Sequence, residues 1–423
     1  MTIAALMLSI PLGTRAQEQT LTLAEVYRLV EEQNPMLRAA HARVDASRAV
    51  QSAASLPPDP ALQIGIMNAS LPSFRTNMPG AMLPSIQLMQ MLPIAGKLGL
   101  SGEIAQQSTA MQSAAAAEVF WEVRARAAMA FHEIYAADWQ VEVMQQTLDW
   151  LRQFEQVATA LYAVGNGRQS DVLRAGVEVA RMQAEIARMR AMRESAAGRL
   201  NALIGRDAAV DVPRTVIGTF PYSLPSSETL MQWADEGRPL LERGRIGVQQ
   251  AHDREKLARR EIWPDLSIGV QYGQRASDAD TERMGSLMVG FSLPVFASRR
   301  QLPMREEAAA MRNMATAELA DSRAQVNARI HELLAELERT ATLMTLYRTE
   351  VLPQAEANVT SAFASYRVGR VDFMTLVDAQ MSLNTYAREL YALDAEYGWR
   401  ISELEATVGR EIPANPVVAK EGA

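Results

Sequence analysis

From residue 98 to residue 161 the chain runs through Ala, Glu, Gln, Met and Arg without a single proline. Such a stretch is read as helix, because Ala and straight-chain side chains lose little conformational freedom there. At about 1.5 Å per residue, a helix of some 65 residues is on the order of 100 Å long. No globular core is that wide. The segment must bury its apolar stripe against neighbours of similar length, and its Ala-rich faces suit close antiparallel packing.

The stretch LYAVGNGRQSDVL, residues 161–173, ends that helix and has the look of a phosphate-cradling loop. A dinucleotide fingerprint follows a strand, however, and here a helix precedes it and Ser170 stands where the third glycine belongs. A turn between two helices is the better reading. The rest of the chain supports it, because the sequence is duplicated at a spacing of 204 residues. Tyr162-Ala-Val-Gly165 returns as Tyr366-Arg-Val-Gly369, and Ala175 as Ala379. Asn34-Pro35 pairs with Arg238-Pro239, the run from Pro60 to Gly65 with that from Pro264 to Gly269, and Ile204-Gly205 with Val408-Gly409. Only Leu92-Pro93 and Leu293-Pro294 slip, to 201. The second copy has Val371 in place of Gly167, a loss that a helical hairpin tolerates and a phosphate loop does not.

Each copy reads as helix, strand, strand, very long helix, turn, long helix. The first places these at about 22–54, 61–69, 84–92, 97–162 and 169–204; the second at about 228–261, 265–274, 285–295, 299–364 and 372–408. Gly205 and Gly409 mark helix ends, where a left-handed cap favours glycine. Pro353 is expected to kink or break the second long helix where the first copy has Asp149. The corresponding divisions are a signal segment 1–16, a first repeat 17–205, a linker 206–227, a second repeat 228–409 and a tail 410–423.

The strands alternate. Leu266, Ile268, Val270 and Tyr272 are interleaved with Ser267, Gly269, Gln271 and Gly273, and Leu287, Val289, Phe291 and Leu293 with Ser286, Met288, Gly290 and Ser292. Period two with one apolar face suits a half-buried soluble sheet as well as a membrane barrel. Strand length near 9 to 11 residues and flanking helices too long to cover the sheet favour the barrel. In the first copy Met89 and Met91 fall on the otherwise polar face. Four strands cannot close a barrel, since bacterial barrels begin at about eight, so the chain is expected to assemble with copies of itself.

Composition narrows the partners. With 49 acidic against 42 basic residues and a net charge of −7, the chain lacks the basic footprint that nucleic acid demands. It has no cysteine, which excludes disulfides, thiolate chemistry and a lipidated cysteine. The apolar run from Ile3 to Ile10, followed by Pro11, Gly13 and small residues at Thr14 and Ala16, reads as a secretory signal cut near Ala16, although Arg15 is its first cation. No apolar run reaches about 18 residues, so no transmembrane helix is expected. His41, His132, His252 and His331 lie on separate predicted helices without metal-ligand spacing. The 23 methionines are soft potential ligands and also ordinary gap-fillers; the second reading is preferred, with Met82, Met89 and Met91 the cluster to test. No catalytic constellation and no cofactor motif emerges, and an enzyme is not expected.

In these features the chain resembles the TolC-like outer-membrane factors, the outlet ducts of tripartite efflux pumps and type I secretion systems. The resemblance covers residues 20–410 and is carried most specifically by residues 366–380, by their counterpart at 162–175 and by the Gly205 and Gly409 helix ends. The segment QMLPIAGK, residues 90–97, is similar to the strand-to-helix motif of ducts serving heavy-metal cation pumps. The resemblance implies a mainly α protein with a small β part: a homotrimer whose twelve strands form one barrel in the outer membrane and whose helices form a periplasmic α-barrel. It implies as partners outer-membrane lipid, a periplasmic adaptor and an inner-membrane pump. An elongated periplasmic adaptor or scaffold is the alternative.

It also implies a site. The turns Val164-Gly165-Asn166 and Val368-Gly369-Arg370 become the tips that meet the adaptor, with glycine supplying the positive φ of a tight reversal. Asp171 and Tyr366 come within hydrogen-bond reach across neighbouring hairpins of the closed duct. Family members add an arginine two residues after the second glycine; here that position is Val371, so a cationic tie falls to Arg370. Asp378 repeats about the threefold axis as an anionic ring favouring cations. Read from the residues alone, Asp171 equally suits the start of a helix.

Overall fold

A computed structural model describes residues 20–67, 82–218, 224–276 and 280–413. In chain order the elements are β1 (Leu21–Thr22), α1 (Leu23–Gln33), α2 (Pro35–Gln51), β2 (Ala61–Met67), β3 (Met82–Leu92), α3 (Lys97–Ala163), α4 (Gln169–Leu203), β4 (Thr215–Val216), α5 (Ser227–Gly237), α6 (Pro239–Arg260), β5 (Leu266–Ala276), β6 (Thr281–Phe291), α7 (Gln301–Leu346), α8 (Leu352–Arg367) and α9 (Phe373–Val408). The expected signal segment and most of the expected tail lie outside the described residues.

β6 begins and ends four residues before the expected 285–295, which leaves Leu293 outside the strand; at the prolines, local chemistry accounts for the departures from the sequence reading. The single helix expected over 22–54 is two, because Pro35 holds Asn34 in an extended conformation (ψ 123°). The Asn34 side-chain amide then donates to the carbonyl of Leu203, 2.6 Å away. Pro239 does the same to the backbone of Arg238 (ψ 121°). The second long helix is interrupted by a π-helical turn at Tyr347–Val351, just before Pro353. A proline nitrogen cannot donate to the carbonyl four residues back, and the widened turn takes up the mismatch. The expected linker 206–227 contains β4, which pairs in parallel with β1.

The chain forms two compact units. Among the described residues, one comprises 36–67, 82–119, 231–276 and 280–328 and holds an antiparallel sheet in the order β2-β3-β5-β6. Its strands keep the expected alternation: Ile86, Leu88 and Leu92 stand opposite Tyr272, Val270 and Leu266, and Val270 opposite Leu287. Ile64, Val270 and Leu287 are more than half exposed, whereas on the other face Ser85 and Gln271 are buried and hydrogen-bonded at 2.9 Å. Gln90 falls in register with Ile268 on the apolar side, and its amide is turned back onto the carbonyls of Pro58 and Met91. The β3 to α3 junction is fixed by Lys97, 5% exposed, whose ammonium donates to Asp265 (2.8 Å) and to the Trp263 carbonyl (2.9 Å). It is reached through two left-handed residues, Ala95 and Gly96.

Among the described residues, the other unit comprises 20–35, 120–218, 224–230 and 329–413. Its core gathers Met144, Leu148, Leu151 and Phe154 of α3, Met182 and Ile186 of α4, Val359 and Tyr366 of α8, and Phe373 and Leu376 of α9. Spacings of three, four or seven residues put each set on one helix face. Two helical hairpins thus share one apolar seam. The Arg124 guanidinium lies 3.8 Å from the Tyr27 ring centroid and 2.6 Å from Glu411.

Candidate functional site

The two hairpin turns are built alike, and the reason is glycine. At the first, Gly165 has φ +79°, its N–H donates to the Tyr162 carbonyl (3.0 Å), and that of Asn166 donates to Leu161 (2.9 Å). At the second, Gly369 has φ +71°, its N–H donates to Tyr366 (3.0 Å), and that of Arg370 donates to Ser365 (2.9 Å). This closes the helix ends through a left-handed residue. A Cβ at either glycine would meet nothing within 4 Å, so strain there is conformational rather than steric. Gly167 differs: a Cβ would lie 2.7 Å from the Tyr162 nitrogen, so the first turn needs a glycine that the second replaces with Val371. Val164 and Val368 are both more than two-thirds exposed.

Between the turns lies an open cavity of about 640 Å³, whose lining includes Asn166, Asp171, Tyr366, Val368, Gly369 and Arg370. Asp378, the other acid named from the resemblance, is exposed on α9 and lies outside the cavity lining.

Asp171 and Tyr366 therefore share one cavity within a single chain. Tyr366 is only 5% exposed, and its hydroxyl has no hydrogen-bond partner among the described residues. Burial pushes its phenol above the ordinary range, and the charge of Asp171 adds to that. Asp171 sits in the first turn of α4, whose N-cap, Arg168, contributes no side-chain cap; a carboxylate there is favoured by the helix dipole. The Ser170 hydroxyl donates to that carboxylate from 3.4 Å.

Two features of this region are absent from the sequence reading. Asp372 is the N-cap of α9 and accepts from the Thr375 N–H (2.8 Å) and hydroxyl (2.6 Å). The Thr375 hydroxyl and backbone hold the Asp372 carboxyl below its usual range, and Arg168 and Arg174 reinforce this. An aspartate three residues before a threonine at a helix start is a signal that could have found it. The second feature is additional basic charge: Arg168 and Arg367 line the cavity beside Arg370, in a chain whose net charge is −7.

The outer membrane efflux protein family model matches residues 26–206 and 230–410, once in each copy of the repeat. The cobalt-zinc-cadmium resistance protein CzcC of Cupriavidus metallidurans is 24% identical over 384 residues, which cover 88% of this chain and 86% of that protein. Among solved structures, the outer membrane protein VceC of Vibrio cholerae superposes with a TM-score of 0.78 at 17% identity, covering 92% of this chain and 96% of its own. CusC gives 0.77 at 16% identity, covering 92% of each. With both halves matched, the chain belongs to the outer membrane efflux protein family and is an outer-membrane efflux channel.

Proposed function

We propose that the protein works as a homotrimeric duct, three four-stranded sheets closing one twelve-stranded barrel, and passes metal cations delivered by a periplasmic adaptor and an inner-membrane pump. The observation that carries the reading is the sheet: one face is apolar and exposed, and β2 and β6 are its two edges. Unpaired backbone at a sheet edge is costly in lipid, and closure removes it. The metal cargo is suggested by the name of CzcC. The repeat boundaries 17–205 and 228–409, with 206–227 between them, belong to the same reading.

In this reading Val164, Gly165, Asn166, Val368 and Gly369 meet the adaptor, Asp171, Tyr366 and Arg370 hold the duct closed, and Asp378 selects cations. Native mass in detergent is expected to give three chains, and a stable monomer in lipid overturns the assembly. In planar bilayers Asp171→Ala with Tyr366→Phe is expected to raise conductance, and Asp378→Ala to weaken cation selectivity. Unchanged values in both variants place the gate elsewhere.

A further inference from the structure

Besides Met67 and Met284, which is in register with Gly273, the small and polar face of the sheet carries three methionines that come together through strand pairing. Register puts Met89 of β3, Gly269 of β5 and Met288 of β6 in one row. Met91 stands two residues along β3 on the same face, opposite Ser267, which is itself opposite Gly290. With strands about 4.8 Å apart, the backbones of Met89 and Met288 are separated by roughly 10 Å. Gly269 leaves that gap open. A Cβ built there would lie 3.4 Å from the terminal methyl of Met288, so the Met288 side chain already reaches over the glycine. Unbranched thioether arms are flexible enough to converge there. The side chain of Met82, the third methionine singled out from the sequence, lies outside the described ones.

The surroundings suit a ligand better than a packed core. Met91 is 46% exposed, and the row it belongs to holds only Ser267 and Gly290 besides. Met67, on β2, is already engaged, its sulfur accepting from Gln271 at 3.3 Å. Among the described residues no group of three or more His, Asp or Glu could hold a metal ion. Neutral thioethers select soft cations of low charge.

We propose that Met89, Met91 and Met288 form a thioether site for a soft monovalent cation, Cu(I) or Ag(I). The other face of these strands is the exposed apolar one, so the site faces away from lipid. Its role as a contact in transit rests on the duct reading; the binding itself does not.

Ag(I), which needs no reductant, is the probe, added to the purified full-length protein in detergent and followed by titration and X-ray absorption. Wild type is expected to bind silver with sulfur neighbours, undisplaced by Zn(II) or Co(II). Met89→Leu with Met288→Leu conserves volume and is expected to weaken binding roughly tenfold or more, since two of three soft ligands are gone. Met129→Leu with Met192→Leu, at exposed positions elsewhere, is expected to leave it unchanged. Equal affinity in the first pair, an equal loss in the second, or oxygen and nitrogen neighbours overturns the site. A monomer in the native-mass experiment overturns the duct and leaves the silver result standing.

Discussion

His132 and Gly398 make a pair whose substitution reverses an ordinary rule. Gly398 lies inside α9, where glycine to alanine normally stabilises a helix by about 1 kcal/mol. Here a Cβ would fall within the contact radius of the His132 ring, which is 1% exposed. Gly398→Ala is therefore expected to destabilise, by about 1–3 kcal/mol as for other overpacked sites. Adding His132→Ala is expected to restore much of the loss, as read from thermal midpoints of the single and double variants. The same histidine predicts a pH effect. Burial lowers its pKa to about 3, from 6.5. The unfolded chain then binds the extra proton, so stability is full above pH 6.5 and falls as pH drops toward 3. Between pH 7 and 5 the loss from this group is about 2 kcal/mol, at about 1.36 kcal/mol per unit. His132→Leu is expected to flatten that part of the profile; an unchanged slope removes the assignment.

At the scale of elements, the junction around Lys97 and the strands it anchors set separate expectations. Lys97 ties the start of α3 to the residues before β5. Lys97→Met leaves Asp265 without its cation and is expected to cost about 1–3 kcal/mol, below the range for fully buried pairs because Asp265 is a quarter exposed. Thermal unfolding in detergent checks it. On the strands, Val270→Arg places charge on the exposed apolar face and is expected to cost about 2–4 kcal/mol where the site is near the bilayer midplane. Ser286→Arg, exposed on the other face of β6 and in register with Gln271, is not subject to that lipid penalty. Recovery of folded protein from outer-membrane fractions compares the two; equal recovery would place the apolar face out of lipid.

At the scale of the whole molecule, the duplication, the helix and strand order and the glycine turns were legible because each is written in local chemistry. Proline-free runs, period-two alternation and a glycine at a helix end act within a few residues. Family membership followed from the same signals, and the family model finds both copies. Other features depend on partners far along the chain. The β1–β4 pairing sets Leu21 against Thr215 through strands of two residues, too short to carry a period. The clash that makes Gly398 necessary is with His132, on a different helix. Asp171 and Tyr366 share a cavity only because two hairpins pack along one seam. Met89 and Met288 are brought into one row by strand register, which sequence spacing does not specify when the strands come from different copies of the repeat. The sequence by itself determined the long helices, the four long strands with their apolar faces and the glycine turns, since backbone sterics and side-chain periodicity are local. Only the tertiary structure decided which of those faces meet, because contact between distant residues depends on packing and register.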